Sequence, residues 1–488
     1  MFLGIDLGTS EIKLLLLDAS HRVVAGAGAA LAIAQPQPLW SEQHPHDWWA
    51  ALDAAMQRLR DQAAGALAAV QAIGLSGQMH GAVLLDAGGD VLRPAILWND
   101  GRSAAQCAAL EAAAPRLHAI AGNLAMPGFT APKLLWLREH ERDTFERTAT
   151  VLLPKDWLRW RLSGERVTDC SDASGTLWLD VDARRWSREL LAACGLREAQ
   201  MPALVEGSAP AGRLRAEWAR RWGLSEGVVI AGGGGDNAAS AVGVGAVQPG
   251  QGFVSLGTSG VIFVVGERFM PNPHSAVHAF CHALPARWHQ MSVMLSAAGA
   301  LRWAVRLTGA ADEAALVAQA EATSAAQRAS APIFLPYLSG ERTPHNDAHA
   351  SGALVGLTHA HGRADVAHAV LEGVGFGLLD GWHALDPGLR ERVRELVLVG
   401  GGARSAHWAR LLAALLDRPL LQVEGGDTGA ALGAARLAWL AAGGSEHEVC
   451  RPLPVRQRIE PDAQWRAAML PRHARFRALY RPLRETMA

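Results

Sequence analysis

Short apolar runs broken by glycine open the chain. FLGIDLGTSEIKLLLLD at 2–18 reads as a strand, a Gly-Thr-Ser turn and a second strand, and RVVAGAGAALA at 22–32 as a third. Apolar positions at helical spacing over 47–62, with Asp47 near the start, predict a helix. Strands are expected at 70–76 and 82–98, the latter with a turn at Gly88-Gly89-Asp90, and helices at about 103–114 and 132–140. Further on, the pattern predicts a strand over 253–264, a helix near 291–308, a loop FLPYLSGERTPH at 334–345 and a helix at about 364–381. A strand at 396–400 runs into a glycine loop and a helix at 406–417, and Gly425-Gly426-Asp427 opens a helix at about 428–441. The arginine-rich stretch 451–488 carries helical segments.

LGTS occurs twice, at 7–10 and 256–259, about half of the 488-residue chain apart. The flanks repeat as well: GIDLGTSEIKLLLLD and GFVSLGTSGVIFVVGE are both apolar strand, glycine turn, apolar strand. This predicts an internal duplication with diverged halves, because Asp6 of the first copy becomes Ser255 in the second. Glycine and proline cluster at 240–252, so the domains are set at 1–245 and 250–488, packed together across a cleft.

Composition narrows the class. With 46 basic and 47 acidic residues the net charge is −1, which gives no general attraction for nucleic acid or an anionic membrane. No apolar run is long enough to span a bilayer, and the N-terminus does not read as a signal peptide. Five scattered cysteines without a C-x-x-C point to a reducing, cytoplasmic setting. Only Lys13, Lys133 and Lys155 are lysines. Either GC-rich coding replaced the rest by arginine, or these positions need a compact ammonium, Lys13 above all.

The two Gly-Thr-Ser hairpins are candidate phosphate cradles, since glycine lets an anion approach the backbone and the N–H and hydroxyl groups donate to it. One hairpin per half suggests a phosphate chain clamped between them. Asp6 enters the first hairpin, and a carboxylate beside phosphates is best explained by Mg²⁺ between them. VVIAGGGGDN at 228–237 places Asp236 after a strand and four glycines, where it can act as general base on a hydroxyl; a helix-capping aspartate is the plainer reading.

Other motifs fail on context. No lysine follows glycine, so there is no Walker A loop. Gly223-Leu224-Ser225-Glu226-Gly227 precedes a strand instead of following one, which is wrong for a nucleophile elbow. Gly400-Gly401-Gly402 lacks the third glycine of a dinucleotide fingerprint. His278, Cys281 and His282 lack a fourth metal ligand and read as packed or substrate-side residues.

Taken together, the chain resembles the FGGY family of carbohydrate kinases nearly end to end. GIDLGTS resembles the family's first phosphate loop, GFTAPKLLWLREH at 128–140 and GALVGLTHAHGRADVAHAVLEG at 352–373 its two signatures, and GGGARS at 400–405 its adenosine loop. SGQMHG at 76–81, FCHALPARWHQMSVMLSA at 280–297 and YLSGERTPH at 337–345 resemble its pentulose-phosphorylating branch more than its glycerol-phosphorylating one. The resemblance implies an α/β fold of two ribonuclease-H-like domains of the actin and sugar-kinase ATPase type, flanking a cleft that closes. It implies transfer of phosphate from ATP to O5 of D-xylulose, with ribulose or another sugar or polyol as the alternative. Asp236 matches the family's catalytic aspartate. Met79 and His80 would contact the sugar, with Trp98, Asn99, Asp100 and Asn237 as further candidates. Thr9, Ser10, Lys13, Gly257 and Thr258 match its phosphate positions, and Gly401, Gly402 and Ala403 its nucleotide side. A homodimer is plausible from the family.

Two positions depart from the family pattern. Glu11 and Ser240 stand where relatives often have glycine; if position 11 needs a left-handed backbone, glutamate costs about 1–2 kcal/mol there. A nucleotide-switched binding protein with the same hairpins is the competing reading of another class, and the lack of a peptide-binding domain after residue 450 counts against it.

Overall fold

In a computed structural model, residues 1–426 and 428–487 are described. Asp427 therefore lies outside the described residues; the helix it was read to open runs Gly429–Ala441.

Each half is built on a mixed seven-stranded sheet, and the two sheets share a five-stranded core, an antiparallel meander followed by two parallel strands. In the first, Phe2–Leu7, Glu11–Leu17 and Val23–Ala30 form an antiparallel meander. Phe2–Leu7 also pairs in parallel with Ala72–Gly77, which pairs in parallel with Val229–Ala231, and Pro210–Arg213 closes that edge antiparallel. In the second, the meander is Gly252–Leu256, Gly260–Gly266 and Trp288–Met294. Its first strand pairs in parallel with Leu396–Val399, then Leu420–Val423, and Val455–Ile459 closes the edge antiparallel. The duplication read from the repeated LGTS is thus a duplication of topology, two ribonuclease-H-like units.

Two expectations need correction, and a third stretch gains an element. Residues 291–294, read as helix, belong to the strand Trp288–Met294, and the helix begins at Ala298. Pairing with Gly260–Gly266 decides this, and that partner is not local in sequence. The stretch 82–98 is two short strands, Val83–Leu85 and Ala95–Ile96, paired with Thr150–Leu152 and Glu42–Gln43. The C-terminal stretch contains an edge strand, Val455–Ile459, before its helix Ala463–Met487. Only Ile459 of that strand is buried, so its sequence shows no apolar alternation.

Two helices join the halves. Asp236–Val244 follows the outer parallel strand of the first sheet, and Gly429–Ala441 that of the second. Each leans on the other half. Ala241 and Val244 pack in one apolar cluster with Phe253 and Phe263, while Ala431, Ala435 and Ala438 pack with Phe2, Leu15 and Ala72. The approach is backbone to backbone. A Cβ on Gly4 would meet the Ala431 carbonyl oxygen at 2.0 Å, one on Gly74 that of Ala434 at 1.9 Å, and one on Gly433 that of Ala239 at 1.7 Å. The C-terminal helix is tied back by a buried pair: Arg472 Nε donates to both oxygens of Glu372 at 2.8 and 2.9 Å.

Gly74→Ala is expected to destabilise the protein by about 3 kcal/mol or more, because backbone on both sides must shift. Gly65, whose added Cβ would meet nothing within 4 Å, is the control. Gly65→Ala should leave stability unchanged or raise it by up to about 1 kcal/mol. Denaturant unfolding monitored by tryptophan fluorescence compares the two.

Candidate active site

Asp6 stands near the end of the first strand, in register with Lys13 on the neighbouring strand and Ser76 on the other side. Its carboxyl is pushed up to about 7, first by burial and then by the charge of Asp236, while Lys13 pulls the other way. Asp6 Oδ1 is buried without a hydrogen-bond partner. An orphaned hard oxygen with its charge opposed suits a divalent cation held by one carboxylate, phosphates and water. Among the described residues no three His, Cys, Asp or Glu side chains form a cage. His278, Cys281 and His282 are instead engaged in packing: Cys281 Sγ donates to Val181 O at 3.4 Å, and Leu284 N–H donates to His282 Nδ1 at 3.1 Å.

The hairpin beyond Asp6 is held by a network legible only in three dimensions. Trp98 Nε1 donates to Thr9 Oγ1 at 2.9 Å, and Thr9 Oγ1 donates to Gln78 Oε1 at 3.1 Å. Gln78 and Trp48 both donate to Gln43 Oε1 at 2.9 Å, and Gln43 Nε2 returns to Thr9 O at 2.7 Å. Gln43 and Gln78 are buried residues that sequence reasoning did not single out, although Gln78 lies inside SGQMHG. Ser10 and Asn99 are exposed. Glu11 begins a strand and is not among the residues with a left-handed backbone, so the conformational penalty does not arise. Its charge is offset by Lys13 Nζ at 3.7 Å, both groups half-exposed.

On the expected sugar side, Met79 and His80 sit where glycines clear space. A Cβ on Gly175 would meet His80 Nδ1 at 2.5 Å, and one on Gly235 would meet Met79 Sδ at 2.8 Å. His80 has a left-handed backbone, φ 70°, and its carbonyl accepts from Lys133 Nζ at 2.9 Å and Thr130 Oγ1 at 3.2 Å. Burial lowers the imidazole to about 3, so it is neutral. Nδ1 lies 2.8 Å from the Gly175 carbonyl and must donate to it, which leaves Nε2 as a free acceptor. Asp100, expected on the sugar, is otherwise occupied. Arg102 N–H and Nε reach Oδ1 at 2.9 Å, and Arg102 Nη2 and Ser41 N–H reach Oδ2 at 2.7 and 2.6 Å. Four donors on one carboxylate make it a scaffold.

Asp236 is the first residue of its helix. Asn237 N–H and Nδ2 both donate to its Oδ1, at 2.7 and 2.9 Å. Burial raises its carboxyl above the usual range, against those two hydrogen bonds. Behind the glycine loop lies a buried charge cluster. Lys155 Nζ meets Asp156 at 2.5 Å, Asp169 at 2.8 Å and Asp172 at 3.1 Å. Arg159 pairs with Asp156 and donates to Gly232 O at 2.8 Å, and Gly235 N–H donates to Ser171 Oγ at 3.1 Å. The residues on either side of the loop's turn are thus tied to the cluster. Lys133 and Lys155, both fully buried, are the positions that need a compact ammonium, while Lys13 is half-exposed. Burial acts on both lysines, with carbonyl partners for Lys133 and carboxylate partners for Lys155, and neither influence is visible in sequence.

The second hairpin lies on a helix start. Ala298 N–H donates to Gly257 O at 2.9 Å, and Ala297 and Gly299 N–H donate to Thr258 O at 2.9 and 3.1 Å. Gly400, φ 88°, lets the glycine loop press against this hairpin: a Cβ there would meet Leu256 O at 2.7 Å. Gly401 and Gly402 face a cavity of about 500 Å³ lined also by Leu301, Arg302, Val317 and Trp408. A second of about 420 Å³ lies across the loop, beside Gly400, Ala403 and Gln422. Either volume is of small-ligand size. The structure therefore brings Gly257, Thr258, Gly401, Gly402 and Ala403 to one region, and Asp6, Thr9, Lys13 and Asp236 to another.

The family model for the N-terminal domain of the FGGY family of carbohydrate kinases matches residues 1–243, and that for the C-terminal domain matches 252–442. The chain is 53% identical to the xylulose kinase of Escherichia coli K12 over 100% of both chains. Among solved structures, a "xyloylose kinase" from Brucella ovis superposes with a TM-score of 0.94 at 49% identity, covering 99% of each chain. A xylulose kinase from Rhodospirillum rubrum gives 0.90 at 29%, covering 100% of this chain and 99% of that one.

Asp6 must lose its proton before it can hold a cation. With its carboxyl at about 7, Mg·ADP affinity should fall as pH drops through 7, and binding at pH 6.5 should release a proton. Calorimetry in two buffers of different ionisation enthalpy measures that proton, and Asp6→Asn should abolish it. Stability of the free protein has the opposite sign. The contribution of Asp6 is full below about 4 and is lost as pH rises through 7.

Proposed function

This chain belongs to the FGGY family of carbohydrate kinases, and we propose that it transfers the γ-phosphoryl group of ATP to O5 of D-xylulose. The observation that carries the substrate is the full-length 53% identity to a xylulose kinase, supported by the Met79-His80 wall against Gly175 and Gly235. In this reading residues 1–245 carry the sugar site and the first phosphate hairpin, and residues 250–488 the second hairpin and the nucleotide pocket. Five unpaired cysteines suit a cytoplasmic enzyme.

The chemistry asks for position, neutralised oxygens and a base. Asp236 Oδ1 is committed to Asn237, so Oδ2 takes the proton from the sugar's primary hydroxyl. Its raised proton affinity makes it a better base than an exposed aspartate. His80 Nε2 accepts a hydrogen bond from a sugar hydroxyl, and Met79 and Trp98 exclude water. The Thr9 N–H, Ser10 and Lys13 donate to phosphate oxygens from one side, and Gly257 and Thr258 from the other. Adenosine lies along Gly401, Gly402 and Ala403. Mg²⁺ at Asp6, when bound, neutralises phosphate charge. Closing the halves brings the two hairpins together, which ties sugar binding to transfer and keeps water from acting as acceptor.

A coupled ADP-release assay with Mg·ATP tests the substrate against D-ribulose, L-ribulose, D-fructose, glycerol, xylitol and no sugar. D-xylulose should give the highest kcat/KM, and a ribulose preference would refute the sugar assignment. Asp236→Asn should lower kcat by about 10²–10⁴-fold while Mg·ATP still binds; near-normal turnover in that variant would remove Asp236 as the base.

A further inference from the structure

Two segments set apart in the sequence, around Cys281 and around Glu341-Arg342-Thr343-Pro344, have no part in the site as built so far. The fold laces them together. Thr343 N–H donates to Val293 O at 3.0 Å, Val293 N–H to Thr343 Oγ1 at 3.1 Å, and Thr343 Oγ1 to Ala276 O at 2.9 Å. On the other side, Leu295 N–H and Arg342 N–H donate to Glu341 Oε1 at 3.0 and 2.7 Å. The backbone on both sides of Arg342 is thereby fixed.

Its side chain is fixed by a relay across the halves. Asn123 Nδ2 donates to Ala121 O at 2.8 Å and Ala279 O at 3.2 Å, which makes Asn123 Oδ1 the acceptor. His278 Nδ1, 2.9 Å from that oxygen, therefore carries the hydrogen. His278 Nε2 is left to accept, and Arg342 Nη1 donates to it at 3.2 Å. His278 belongs to the same aromatic group as His80. Ring centroids lie 4.6 Å apart for His80 and Phe129, 5.6 Å for Phe129 and His278, and 6.3 Å for His80 and Phe280. The Arg342 charge reaches His80 as well, adding to the burial that keeps the ring neutral.

The guanidinium is not otherwise satisfied. Among the described residues, its side-chain hydrogen bond is the one to His278. Glu341 gives it little compensation, since burial pushes that carboxyl up to about 8. This half-buried cation has donors left over for oxygen acceptors. Arginine offers a rigid fork of donors and no acceptor.

We propose that Arg342 is the second half's ligand for the sugar, donating through its free guanidinium nitrogens to neighbouring oxygens of the ketose, the carbonyl oxygen among them. This rests on the kinase reading above. The sugar then bridges the halves, with His80 accepting from one side and Arg342 donating from the other. A carbonyl oxygen only accepts and so matches a donor-only fork, which makes Arg342 a residue that favours a ketose over the corresponding alditol.

Steady-state kinetics of the full chain test this with D-xylulose, xylitol and ATP. Arg342→Met should raise the KM for D-xylulose by about 10- to 100-fold, the loss of a charged hydrogen bond. The preference for D-xylulose over xylitol should shrink, with the KM for ATP within about twofold of wild type. Arg342→Lys should recover part of both, and it carries the test if the methionine variant does not fold. An unchanged D-xylulose KM and sugar preference, in an active enzyme, would overturn the proposal. So would equal losses for sugar and ATP with a lowered Tm, which mark a structural role. Failure of the wild type to phosphorylate any ketose is a separate outcome and removes the kinase reading itself.

Discussion

The contact between backbones at the junction of the halves governs the rest of the molecule. Gly4 and Gly74 leave no room for a side chain beneath the helix Gly429–Ala441, and Gly433 leaves none against Ala239. The first strand and the two crossing helices therefore behave as one packed unit. Asp6 lies near the end of that strand and Asp236 begins one of those helices, so the separation of the two carboxylates is set by the junction. Their mutual repulsion shows in the raised proton affinity of Asp6. The polar site depends on an apolar constraint made almost entirely of glycine and alanine.

Buried charge does a second kind of fixing. The Lys155 ammonium lies among three carboxylates with no solvent. Such a cluster adds little net stability, because each ion has lost its water. Burial lifts Asp172 well above the ordinary carboxylate range, with Lys155 opposing. What the cluster supplies is direction. Arg159 and Ser171 reach from it to Gly232 and Gly235, on either side of the loop's turn. Lys133 plays a comparable part for His80, capping a carbonyl whose residue has a left-handed backbone.

The site in turn divides by half. In the proposed reading the first half supplies the base, the cation ligand and the neutral histidine. The second supplies the glycine loop beside its hairpin and, through Asn123 and His278, a fixed Arg342. Groups from both halves meet in the aromatic cluster of His80, Phe129, His278 and Phe280. In the proposed reading, a sugar held by both His80 and Arg342 would bridge the halves.

The sequence by itself determined the repeat, both Gly-Thr-Ser hairpins, the glycine loop before Asp236 and the family, because each is carried by residues adjacent in the chain. It also placed most helices and strands, since their apolar periodicity is local. Only the tertiary structure decided the rest. Asp100 is taken by Arg102 and Ser41, the latter 59 positions away. Thr9 is held by Gln78 and Trp98 from other strands and loops. Residues 291–294 become a strand because Gly260–Gly266 lies beside them. Glu11 escapes backbone strain because it closes the turn as the first residue of a strand. In each case the deciding partner is remote in sequence, and burial, which sets the charge of Asp6, His80 and Lys133, exists only once the chain has folded.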